Sequence, residues 1–68
     1  MKNVIEIVNR QHNKSTVYLN KRIIARISFN QLMAEWCVDY NKDLIFGNTR
    51  DDVIDSMLER VYDRLQSR

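Results

Sequence analysis

The chain has 68 residues, of which 44% are hydrophobic and 29% are charged, with one glycine, no proline and a formal net charge of +2. This composition is typical of a folded globular domain and excludes a disordered tail. The net charge is too small to indicate nucleic-acid binding by itself, so any basic function depends on where the lysines and arginines lie. A chain this short buries only about 60% of its unfolded surface, so we expect one domain, 1–68, that is held by a single small core or helped by a second copy.

The cysteine count and the distribution of apolar residues bear on the compartment. Cys37 is the only cysteine, which excludes an intrachain disulfide and fits a reducing environment. The amino terminus has no apolar region of signal-peptide length, and no window approaches the roughly 20 apolar residues that a membrane helix needs. We therefore expect a soluble cytoplasmic protein without a membrane partner.

The amino-terminal third predicts strands. Residues 3–9 are rich in Val and Ile, a polar run follows, and residues 16–19, TVYL, are again β-prone. This pattern indicates a β-hairpin. Asn20 and Lys21 then separate TVYL from RIIARIS, residues 22–28, so that either a third strand follows a tight turn or the two pieces form one long bent strand.

The RIIARIS segment alternates basic and apolar side chains. A period of two places Arg22, Ile24, Arg26 and Ser28 on one face and Ile23, Ala25 and Ile27 on the other, which we expect to face the core.

A first helix is predicted from Ser28, which with Gln31 has the spacing of a capping box. The apolar positions after it have helical spacing, and they are Phe29, Leu32, Met33, Trp36, Cys37 and Tyr40. On this stripe the Cys37 thiol is expected to pack in the core as a small hydrophobe. Leu44, Ile45 and Phe46, ahead of the flexible Gly47, are expected to close the core.

A second helix is predicted to begin after Thr49, which with Asp52 forms another capping box. Acidic residues lie near its start, and the basic residues Arg60, Arg64 and Arg68 lie towards its end. Its apolar stripe is Ile54, Met57, Leu58, Val61 and Leu65, broadened by Val53 and Tyr62, which suggests a second buried contact. The predicted fold class is α+β, with an N-terminal β-hairpin or three-stranded antiparallel sheet followed by two α-helices.

No pattern of residues indicates catalysis. His12 lies in a polar turn without spaced metal-ligand partners, and the acidic group around Asp51, Asp52 and Asp55 is explained by the positive end of a helix dipole. A single glycine cannot form a phosphate-binding loop. We expect no enzyme activity, no metal and no cofactor.

Residues 22–66 resemble the ribbon-helix-helix family of DNA-binding repressors and antitoxins, in which a strand with outward polar residues precedes two helices. RIIARIS corresponds to the ribbon, SFNQLMAEWCVDY to the first helix, and GNTRDDVIDSMLERVYDRL to the turn and second helix. The resemblance implies a homodimeric repressor of transcription whose paired strands enter the major groove of double-stranded DNA.

The resemblance also implies particular DNA contacts. The base readers would be Arg22, Ile24 and Arg26, and a phosphate would bind the backbone amides at Asn48, Thr49 and Arg50.

A different class of function explains the same strand. Arg22 and Arg26 are also what the solvated face of an antiparallel sheet contains without any ligand. The alternative is therefore a small protein-binding module or inhibitor, for example one encoded by a phage, that acts on a protein target through its sheet face or an edge strand.

Overall fold

Among residues 2–66, five strands form one antiparallel sheet in chain order, and a single helix follows them. The computed structural model describes residues 2–66, so Arg68 lies outside the described residues. The strands are β1 (Ile5–Gln11), β2 (Lys14–Leu19), β3 (Arg22–Asn30), β4 (Glu35–Tyr40) and β5 (Asp43–Gly47), and the helix is α1 (Arg50–Gln66). The class is α+β, but the expected layout of a hairpin or three-stranded sheet with two helices is wrong.

Tight turns set the register of the meander. Asn20 and Lys21 join β2 to β3 with φ of 51° and 70°, and Asn41 and Lys42 join β4 to β5 with φ of 50° and 70°. Two successive residues with positive φ are the mark of the two-residue turn whose twist matches antiparallel strands. Of the two alternatives that the sequence left open, the structure has the tight turn at Asn20, and RIIARIS belongs to a separate third strand.

The predicted first helix is wrong, because residues 28–40 form the end of β3, a turn and β4. The Asn30 side-chain oxygen accepts hydrogen bonds from the backbone N–H groups of Leu32 at 3.0 Å and Met33 at 3.3 Å. These bonds close a turn after Asn30, so the chain reverses where a helix would continue. Leu32, which was expected on the buried stripe, is 96% exposed at the tip of this hairpin.

The predicted second helix is confirmed as α1. The Thr49 hydroxyl accepts from the backbone N–H of Asp52 at 3.1 Å, as expected of a helix cap. The fully buried residues are Val53, Met57 and Val61, while Ile54, Leu58 and Leu65 are partly buried and Tyr62 is half exposed. The stripe that meets the sheet is thus centred on Met57, and the apolar residues on its flank are only partly covered.

The core lies between α1 and one face of the sheet. Its buried apolar side chains from the strands are Val17, Ala25, Ile27, Val38, Tyr40 and Ile45. The backbone of α1 lies close to β4 and β5 and has no comparable contact with β1, β2 or β3. In the described part of the chain, no helix is long and apolar enough to cross a membrane.

Candidate protein-binding surface

The sheet has one face that α1 does not cover, which we call the open face. Residues paired across neighbouring antiparallel strands point to the same face. The pairing therefore places one row of side chains on the open face, consisting of Val8, Thr16, Arg26, Asp39 and Leu44. A second row on the same face runs through Lys14, Ser28, Cys37 and Phe46. The open face is thus a continuous surface five strands wide.

The β5 end of the open face is apolar. Leu44 and Phe46 are 58% and 54% exposed, and we call these two side chains the edge patch. Ile45, between them, points to the helix and is buried. The expectation that all three residues close the core is therefore correct only for Ile45. Exposed apolar side chains that lie together, rather than singly, are a feature of binding surfaces.

The β1 end of the open face carries a cation and an aromatic ring. The Arg10 guanidinium lies 5.8 Å from the centroid of the Tyr18 ring and also donates a hydrogen bond to the Tyr18 hydroxyl. This contact fixes two long side chains in place before any ligand arrives, which lowers the entropy cost of binding.

Cys37 lies on the open face beside Phe46, not inside the core as predicted. Partial burial raises the pKa of its thiol, and the carboxylates of Asp39 and Glu35, two residues away on either side, raise it further. A thiol held in its protonated form is a poor nucleophile. The geometry therefore gives Cys37 a packing role on this surface.

The predicted base readers do not share one surface. Val17 pairs with Ala25 and Tyr18 pairs with Ile23, so Ile24 is the extra residue of a β-bulge. The bulge reverses the alternation: Arg22 pairs with Leu19 on the helix side of the sheet, while Arg26 lies on the open face. Ile24 itself is partly buried against the core. The expected common face of Arg22 and Arg26 is therefore absent.

The predicted phosphate anchor is brought together at the start of α1, but Arg50 is already engaged. Its guanidinium donates to the side-chain oxygen of Asn9 at 2.8 Å and to the hydroxyl of buried Ser15 at 3.2 Å. Arg50 thereby ties the helix to β1 and β2. The exposed Asn48 and Thr49 precede it, and the Thr49 hydroxyl is occupied in capping the helix.

Residues 2–66 contain no metal-binding cluster of side chains. No cluster of three or more His, Cys, Asp or Glu side chains there is arranged to hold a metal ion. His12 is exposed in the turn between β1 and β2. An open groove of about 680 Å³ lies between the end of α1 and the adjoining ends of β2, β3 and β4, but most of its lining is apolar, including Leu19, Ile24 and Leu65.

One exposed apolar feature was missed by sequence reasoning because it was assigned to a buried helix. Leu32 and Met33 form the tip of the β3–β4 hairpin, and Phe29 and Trp36 pair behind them with ring centroids 5.3 Å apart. The signal that could have identified β4 is the alternation of Trp36, Cys37, Val38, Asp39 and Tyr40.

The structure defines the class of protein as a small α+β domain, a five-stranded antiparallel meander with one C-terminal helix on one face. Comparison with known proteins gives no matching family model, no similar curated protein and no similar solved structure. Function has therefore to be argued from the surfaces of this chain alone.

Proposed function

We propose that this chain is a small non-enzymatic regulatory protein that binds another protein through the open face of its sheet. The observation that carries the proposal is that α1 covers one face only, leaving Leu44 and Phe46 exposed beside a charged and aromatic surface. Interface cores are enriched in aromatic residues and arginine, and their rims are polar. The open face has this composition, with Arg10, Tyr18, Arg26 and Phe46 on four of its five strands.

DNA binding has less support. The charges on the open face are balanced, with Arg10, Lys14 and Arg26 against Glu6, Glu35 and Asp39. A surface that tracks phosphates needs an excess of cations. The strand that would serve as the ribbon is also paired on both sides, with β2 and β4, so it is not free to pair with the same strand of a second chain.

We further propose that the protein is a homodimer. A compact monomer of 8.2 kDa is expected to expose about 4,500 Å². The chain exposes 5483 Å², an excess of roughly a fifth over that expectation. An excess of this size is close to the roughly 800 Å² that each partner buries in a standard interface.

The proposal includes a cytoplasmic role as a regulator or inhibitor, of the kind that phages encode. A single, partly buried cysteine with a raised thiol pKa suits a reducing compartment. The identity of the target must come from experiment.

The test is a comparison of two matched variants. Proteins retained on the immobilised chain from a lysate of its source organism are identified, purified and titrated against the parent, Phe46→Ser and Tyr62→Ser. Phe46 and Tyr62 are 54% and 51% exposed, but Tyr62 lies on the helix, away from the open face. Loss of an interface anchor should weaken binding by about tenfold or more for Phe46→Ser, with no change for Tyr62→Ser.

Two results would count against the proposal. Equal affinity of the parent and Phe46→Ser for every retained protein would show that the open face is not the contact. Enrichment of one sequence from random duplex DNA by the parent, with affinity that falls steeply with salt, would favour the DNA alternative.

A further inference from the structure

We propose that the homodimer forms by antiparallel pairing of β5 with β5 of a second copy, which makes one continuous ten-stranded sheet. The inference rests on the homodimer proposed above and adds the surface and register of the contact. It depends on four observations: the state of the two sheet edges, the sequence of β5, the position of α1 and the charges along α1.

The two edges of the sheet differ. Edge strands that avoid pairing with other chains carry bulges or charges. β1 has both, with a register shift between Asn9 and Gln11 and the charged residues Glu6 and Arg10 within the strand. β5 pairs with β4 without any shift in register, and its residues from Leu44 to Gly47 are uncharged. Among residues 2–66, no strand pairs with the outer edge of β5.

The sequence of β5, DLIFG, is self-complementary when two copies pair antiparallel with the two Ile45 residues opposite each other. Leu44 then lies opposite Phe46 of the second copy, twice by symmetry, and both pairs are on the open face. Asp43 lies opposite Gly47 of the second copy, so no like charges meet. Directly opposed apolar and aromatic side chains are the pairs that stabilise antiparallel strands. A twofold contact of this kind buries the same patch on both copies and closes on itself.

The position of α1 allows the two sheets to meet. In the described part of the chain, α1 lies close to β4 and β5 and to no other strand, so in the proposed dimer we place its axis over this pair of strands. With strands about 4.8 Å apart, two copies joined through β5 have helix axes roughly 10 Å apart. Packed helices lie about 8–10 Å apart, so the helices fit side by side above the joined strands.

The helix charges are complementary in this arrangement. Asp52, Ser56 and Arg60 are four residues apart and form one line along α1. Asp52 lies beside Gly47, since its Cβ is 3.3 Å from where a Cβ at Gly47 would be, and Arg60 lies 3.7 Å from the Asp43 carboxylate. When Asp43 faces Gly47 of the second copy, each Arg60 comes level with the partner's Asp52. The small Ser56 side chains lie at the twofold axis.

Charge substitutions in β5 test both the contact and its register. In the double variant Leu44→Lys, Phe46→Lys, both of the pairs that residues 44 and 46 form between the two copies become pairs of lysines. The dimerisation Kd should therefore rise by at least about tenfold. In Leu44→Lys, Phe46→Glu, each lysine faces a glutamate of the other copy, and the dimer should return. Both variants change exposed positions, and circular dichroism with thermal melting verifies that each one folds.

Sedimentation equilibrium measures the outcomes. We expect the parent at twice the 8.2 kDa chain mass at micromolar concentration. A parent that stays at the single-chain mass at every concentration overturns the homodimer and this interface together. A dimeric parent whose Lys/Lys and Lys/Glu variants have the same Kd overturns the proposed pairing of β5 in this register, and leaves both the homodimer and the protein-binding proposal standing.

Discussion

Replacing Gly47 by alanine should destabilise the protein, although the position is in a strand where alanine is normally tolerated. A Cβ at this position would lie 2.8 Å from Cγ1 of Val53 and 3.3 Å from the Asp52 Cβ. Val53 is fully buried in the first turns of α1, so its side chain cannot move away without shifting the helix. Overpacking of this kind costs about 1–3 kcal/mol. The smaller conformational entropy of an unfolded chain with alanine offsets about 0.4–1 kcal/mol, which leaves a net loss of about 1.3 kcal/mol from the middle of each range.

Urea unfolding at one fixed protein concentration, followed by circular dichroism, measures this loss as a shift in midpoint with an unchanged slope. Val53→Ala alone removes two buried carbons and should cost about 1.6 kcal/mol, plus a cavity contribution. In the double variant the new methyl group occupies space that the valine has vacated, so the combined loss should be smaller than the sum by about 1 kcal/mol or more. A neutral or stabilising Gly47→Ala, or strictly additive losses, would refute the close approach of β5 and α1.

Two further predictions test the strand arrangement. Leu32→Ala should change the free energy of unfolding by no more than about 0.5 kcal/mol, because the side chain is 96% exposed. Ile27→Ala, at a fully buried position, should cost about 2–5 kcal/mol. Comparable losses for the two variants in urea unfolding would instead support the helix that the sequence predicts for residues 28–40. Alkylation of Cys37 should have a pH midpoint above that of an unperturbed cysteine, because burial and the carboxylates of Asp39 and Glu35 raise the thiol pKa. Asp39→Asn should lower that midpoint, measured by the rate of iodoacetamide labelling across pH, and an unshifted midpoint would show that the carboxylate does not act on the thiol.

The elements whose sequence contained a local signal were predicted well. The hairpin of β1 and β2 follows from Val- and Ile-rich residues on either side of a polar run, and the Thr49 cap marks the start of α1. These signals act over a few residues and need no knowledge of the rest of the chain. The turn at Asn20 and Lys21 was one of two alternatives that the sequence left open, and the identical pair at Asn41 and Lys42 could have located the β4–β5 hairpin.

The failure at residues 28–40 has a specific physical cause. Helical spacing of apolar residues does not occur only in helices. The same spacing can arise in a hairpin, where a strand is followed by a turn with exposed apolar residues and then by a second strand. The Asn30 side chain decides between the two, since its oxygen accepts from the N–H groups of Leu32 and Met33. An asparagine that closes a turn is favoured for the same reason that it is weak in a helix interior. The β-prone residues Trp36, Val38 and Tyr40 then pair with β3 and β5.

The candidate site depended on features that no local pattern reveals. The bulge at Ile24 moves Arg22 to the other side of the sheet, and only the pairing of β2 with β3 shows it. The open face likewise depends on which side α1 covers. From sequence alternation alone, Asp39, Leu44 and Phe46 could lie on either face of the sheet. The packing of Val38 and Ile45 against the helix places these three side chains on the open face.

The two proposals converge on the same two side chains. In one chain the edge patch is a pair of exposed apolar residues at the margin of the open face, and a margin is an unfavourable place for a binding anchor because water reaches it. Pairing through β5 moves Leu44 and Phe46 of both copies to the centre of a ten-stranded face, with the charged rows of each copy on either side. Four apolar side chains at the centre of a polar surface are the arrangement in which protein interfaces concentrate their affinity. The Leu44→Lys, Phe46→Glu variant separates the two roles, since it should dimerise and yet lose the protein partner. If it instead binds the partner as tightly as the parent does, the edge patch serves dimerisation only, and the open face is not the contact with the partner.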